Sequence, residues 1–80
     1  MPGIDPTGPV APYRQLAEIL RARIESGQYR PGERIPTESE LVEEFELARS
    51  TVRRAVSVLR EDGLVHTVPQ RGTYVSGPRT

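Results

Sequence analysis

Proline and glycine cut this chain into segments too short to hold a structure alone. Gly27, the Arg30-Pro31-Gly32-Glu33 turn, Pro36, Gly63 and the Pro69-Gln70-Arg71-Gly72 turn each interrupt any regular element. Short isolated helices and single hairpins are marginal in water, so several short elements must share one core. The 80 residues allow one such core and not two. The sequence has no cysteine, so a disulfide, a thiol nucleophile and a Cys-type metal site are excluded. One histidine gives no His-rich metal cluster, and neither metal nor cofactor is expected. No apolar run approaches a membrane span and no basic-then-apolar leader opens the sequence; a soluble, cytoplasmic domain is expected.

Between the breaks the apolar spacing is helical, then alternating. Residues 1–11 are rich in proline and glycine without periodicity, which predicts a disordered arm. Tyr13, Leu16, Ala17, Leu20 and Ile24 make one stripe at three- and four-residue steps, predicting a helix over 12–26 that Pro12 opens and Gly27 stops. Arg34-Ile35-Pro36 reads as extended, because a residue before proline avoids the helical region. Thr37-Glu38-Ser39-Glu40 spells a capping box and starts a short helix over 38–46, with Leu41 and Phe45 inward. A third helix over 49–62 carries Val52, Ala55, Val56 and Leu59 on one face and Ser50, Arg53, Arg54 and Ser57 on the other. Residues 64–68 and 73–76 alternate as two strands around the 69–72 turn, and 77–80 form a tail. The fold class expected is mainly α with a small β wing: three helices plus a two-stranded antiparallel hairpin in one domain over 12–76.

The formal net charge of zero conceals a division. Residues 1–46 hold five arginines and nine acids, a balance of −4, whereas residues 47–80 hold six arginines and two acids, a balance of +4. Every cation is arginine, whose planar fork suits bidentate binding of phosphate or guanine. A charged helix face alone is usually only solvated. Four arginines with no acid between residues 47 and 60 depart from the interleaved signs of such a face.

Two short helices with a joint of about three residues are the sequence form of a helix-turn-helix, here about 38–57, followed by a wing at about 64–76. The second helix braces the third, which can enter a DNA major groove by its N-terminal end. Arginine can read guanine there, while the first N–H groups and the hydroxyls of Ser50 and Thr51 can bond phosphate. Arg71 at the hairpin turn can reach the adjacent minor groove. The acids of the second helix are expected to point away from DNA.

From Tyr13 to Val75 the chain resembles the N-terminal DNA-binding domain of GntR-type bacterial transcription regulators, a winged helix-turn-helix. The carriers are Gly27, then Pro31-Gly32-Glu33-Arg34-Ile35-Pro36-Thr37-Glu38 and Leu41. Arg49-Ser50-Thr51-Val52-Arg53-Arg54-Ala55 and Leu59 follow, then Asp62-Gly63-Leu64-Val65 and Arg71-Gly72-Thr73-Tyr74-Val75. The resemblance implies base or phosphate contacts for Arg49, Ser50, Thr51 and Arg53, with Arg54 on the same face. It implies that Gly72 lets the wing approach the minor groove beside Arg71, and that Thr37 and Glu38 cap the second helix and aim its start at phosphate. Three positions depart from the family pattern. Ala48 replaces a capping Ser or Thr, a loss of about 0.5–2 kcal/mol. Ser39 stands where many members carry a DNA-reading arginine, so its contact is expected to be shorter or lost. Gln70 stands where the wing often has glycine. The resemblance also implies repression and a pseudo-palindromic operator read by two copies. The resemblance implies a C-terminal ligand-binding and dimerising domain in full-length members, so this chain is expected to be an excised domain or a stand-alone reader, with no effector expected in it.

Catalysis is not expected. Glu43 and Glu44 are adjacent on a helix and point about 100° apart, so they cannot face each other across a substrate. Ser50 has no histidine beside it in sequence, lysine is absent, and His66 reads as a half-buried sheet residue. The rival to a DNA reader is a winged-helix protein-interaction module without specific DNA binding, which the acid-rich second helix and zero net charge favour.

Overall fold

Pro12 opens the first helix as its missing N–H allows. In the computed structural model, which describes residues 3–77, α1 spans Pro12–Glu25, α2 Glu38–Phe45 and α3 Arg49–Glu61, followed by strands β1 (Val65–Val68) and β2 (Gly72–Val75). Each boundary lies within one residue of the periodicity-based expectation. Both α1 and α3 end on a left-handed glycine, Gly27 and Gly63. The following N–H then reaches back to the last turn: Gln28 to Arg23 at 2.9 Å and Leu64 to Leu59 at 3.0 Å.

The Thr37 capping box closes in both directions. The Glu40 N–H donates to Thr37 Oγ1 at 3.1 Å, and the Thr37 N–H donates to the Glu40 carboxylate at 2.7 Å. No side chain caps α3 at Ala48. The joint between α2 and α3 turns at Glu46, which takes φ 55° without being glycine.

The core holds the expected stripes. Leu16, Ala17 and Leu20 of α1, Leu41 and Phe45 of α2, and Val52, Ala55 and Leu59 of α3 are buried together with Ile35, Val65 and Val75. Two ion pairs brace the helices from outside: Arg21 of α1 with Asp62, and Arg23 of α1 with Glu44 of α2 at 2.6 Å. Arg23 also donates from Nη1 to the Tyr29 hydroxyl oxygen at 2.7 Å.

The hairpin pairs Val65 with Val75 and Val68 with Gly72. Its other edge is covered by a segment that sequence pattern gave only as extended. The Ile35 N–H donates to the Thr73 carbonyl at 2.9 Å, the Val75 N–H to the Glu33 carbonyl at 2.8 Å, and Arg34 bridges Tyr74. The strand entering α2 therefore fixes the wing relative to the helix-turn-helix.

Two expectations need amending. His66 is exposed rather than half-buried, because its strand position faces solvent; its ring stacks on Tyr74 at 6.2 Å. Residues 3–10, expected within a disordered arm, form turns against α1. The Gln15 amide holds them, accepting from the Asp5 N–H at 2.7 Å and donating to the Asp5 and Val10 carbonyls at 2.8 and 2.6 Å. Ile4 adds an apolar contact to the core. The first two residues of the expected arm, and 78–80 of the expected tail, lie outside the described residues.

Candidate nucleic-acid interface

The outer face of α3 is set by its core face. Val52, Ala55 and Leu59 turn inward, and the 100° step then sends Arg49, Arg53 and Arg60 along one outer ridge. Ser50 is exposed beside them and Thr51 is half-buried on the flank towards α1. Arg54 leaves the ridge on the same flank, and its guanidinium lies over the Tyr13 ring at 4.0 Å.

The ridge is not free of acid. Glu38, the first residue of α2, lies against it. Arg53 donates Nε to Oε2 and Nη2 to Oε1, each at 3.1 Å, while Arg49 donates Nη1 to Oε1 at 3.0 Å. Hydrogen bonds from Arg53 and then Arg49 hold the Glu38 carboxyl below the usual glutamate range, and the same pairing raises Arg53. The arginine side chains are still 50% and 66% exposed, so each fork keeps N–H groups available. Of the α2 acids, Glu44 turns to α1, whereas Glu38 turns to the arginines of α3. The capping box aims the first turn of α2 at α3, and Glu38 rides on that turn. Nor does Glu38 cap its helix, as the resemblance implied; Glu40 performs the reciprocal half of the box.

Ser39 accepts a weak bond from Arg49 Nη1 at 3.3 Å, so it meets the ridge through that arginine. Thr37 spends its hydroxyl on the cap. Arg71 is exposed at the wing turn. The turn closes with the Arg71 N–H on the Val68 carbonyl at 3.0 Å, and Gln70 adopts φ 63° where tight turns favour glycine. The turn thus forms despite the departure at Gln70. Gly72 has φ 132°, and a Cβ built on it would lie 2.8 Å from Arg34 Cδ. Its lack of a side chain makes room for the Arg34 stem.

Among the described residues no His, Cys, Asp and Glu cluster suits a metal, and no helix is long and apolar enough to cross a membrane. Sequence pattern did not single out Tyr13, Arg34 or Arg60 as parts of this surface, nor the pairing of Glu38 with Arg49 and Arg53.

Residues 12–75 match the family model described as bacterial regulatory proteins, gntR family. The chain belongs to the gntR family. It is 38% identical over 76 residues to the HTH-type transcriptional repressor NagR of Bacillus subtilis, covering 95% of this chain and 31% of that protein. It is 42% identical over 67 residues to the arabinose metabolism transcriptional repressor of Geobacillus stearothermophilus, covering 84% of this chain and 18% of the relative. The chain thus spans less than a third of these curated relatives. The AraR DNA-binding domain, crystallised in complex with operator ORR3, superposes with a TM-score of 0.81 at 34% identity, covering 88% of this chain and 92% of that one. This gntR-family chain therefore has a winged helix-turn-helix fold.

Proposed function

We propose that this chain is a sequence-specific reader of double-stranded DNA that serves bacterial transcriptional repression. In this reading α3 occupies the major groove and the 69–72 turn meets the adjacent minor groove. The observation that carries it is the Arg49–Arg53 ridge, exposed on the third helix of a fold shared with a relative crystallised on its operator. Arg49 and Arg53 supply planar forks for guanine O6 and N7 or for phosphate. Ser50 and Thr51 add hydroxyls, and the uncapped start of α3 adds N–H groups for phosphate. Arg54 adds a cation on the α1 flank, Ser39 acts through Arg49, and Thr37 fixes the first turn of α2. Arg71 and Gly72 bring the wing to the minor groove.

Glu38 prepares the ridge. A carboxylate bonding both forks limits their rotamers before DNA arrives, and base or phosphate acceptors then replace some of those bonds. A pseudo-palindromic operator would take two copies, with half-sites about one helical turn apart or at a related fixed spacing. The reading places the protein in the cytoplasm and assigns no effector to this chain.

Selection of bound duplexes from a random DNA library tests this. An enriched palindrome or a single enriched half-site supports a sequence reader. A folded chain that enriches nothing at any salt concentration contradicts it and turns the assignment to a protein-interaction module.

A further inference from the structure

An open groove of about 410 Å³ runs between α3 and the wing, with Arg34, Arg53, Arg60 and Arg71 along its walls and Glu38 as its acid. Both oxygens of Glu38 are engaged by Arg49 and Arg53. Among the described residues, Arg34, Arg60 and Arg71 have no carboxylate within ion-pair distance. The nearby Glu40 carboxylate is bonded to the Thr37 N–H and feels the Arg34 charge only from beyond ion-pair distance.

Arg34 and Arg60 are positioned as well as exposed. Arg60 donates to Thr67 Oγ1 of β1 and to Ser57 Oγ of α3, each at 3.0 Å. These neutral partners tie its fork to both α3 and β1 and leave its charge intact. The Arg34 stem lies against Gly72, which lacks the side chain that would displace it. The strand pairing of residues 33–35 with β2 holds Arg34 on the wing side of the groove.

Duplex geometry supplies the occupant. A phosphate backbone always separates a major groove from the neighbouring minor groove. If α3 lies in one and the wing turn in the other, that backbone must pass between them, where this groove lies. We infer that the groove seats the sugar–phosphate strand dividing the two DNA grooves, with Arg34 and Arg60 as phosphate contacts beyond the α3 start and the wing tip. The inference rests on the DNA-reading assignment and extends it to two residues that sequence pattern did not single out.

The experiment is a salt titration of duplex binding by the full chain, with the selected duplex and a scrambled one. Each phosphate contact contributes about 0.9 to the slope of log K against log salt. Arg60→Gln and Arg34→Met should each flatten the slope by about 0.9, the double variant by about 1.8, with the ranking of base variants unchanged. Met retains the Arg34 stem over Gly72, and Arg60→Lys should restore the slope because it restores the charge. Thermal melting shows that each variant is folded. Should the parent bind steeply with salt while both neutral variants keep its slope, the groove assignment fails and the DNA-reading assignment stands. Should the folded parent bind neither duplex, both fail.

Discussion

The α3 ridge and the wing turn both present arginine, but they hold it differently. Arg49 and Arg53 are hydrogen-bonded to Glu38, which orders them and offsets part of their charge. Arg71 keeps its whole charge on a turn whose preceding residue, Gln70, is forced to φ 63°. In the proposed DNA-reading role, the difference separates two uses of a cation. A fork meant to meet base edges benefits from a fixed direction, because bidentate geometry is demanding. A cation meant for the negative potential of a minor groove needs charge more than direction.

The strongest way to break this contrast is to remove the support beneath Glu38. Leu41 is fully buried under α2. Leu41→Ala should cost about 2–5 kcal/mol in denaturant unfolding and loosen the turn that carries Glu38. The helix at the other side of the ridge can be improved. Ala48→Ser should supply the missing cap of α3 and raise stability by about 0.5–2 kcal/mol, read as a higher urea midpoint at unchanged slope.

Those two substitutions also mark what sequence could and could not reveal. Leu41 was legible because burial stripes follow a local period, and the empty cap at Ala48 because the family pattern places a capping Ser or Thr there. Glu38 was not, because it meets Arg49 and Arg53 from 11 and 15 residues away, through the crossing of two helices. The same applies to Arg54 over Tyr13 and to the 33–35 segment on β2, contacts made only once the elements dock. The charge division between the two halves pointed to α3 but hid an acid within its surface. In the arm, proline and glycine content was a poor guide, since the Gln15 amide supplies hydrogen bonds for its turns.

On the wing, Gln70→Gly should relieve the left-handed residue and stabilise the fold by up to about 1 kcal/mol, less the greater unfolded freedom of glycine, read as a higher melting temperature. On the ridge, acid sharpens the contrast. The folded Glu38 pKa lies below its unfolded value. Its contribution is therefore complete above the ordinary glutamate range and is lost as pH falls through the folded value. Glu38→Gln should remove that part of the acid dependence, seen as a smaller drop in urea midpoint on acidification. The effect is small, since the arginines it pairs with are largely solvated.

The most direct test of DNA reading by α3 compares Arg53→Ala with the parent on the selected duplex and on a set of single-base variants. Arg53 points outward, so melting should show an intact fold. Affinity for the selected duplex should fall roughly 5- to 150-fold, and preference should relax at one base pair. Unchanged affinity and unchanged preference in a folded variant would contradict a reading role for this ridge.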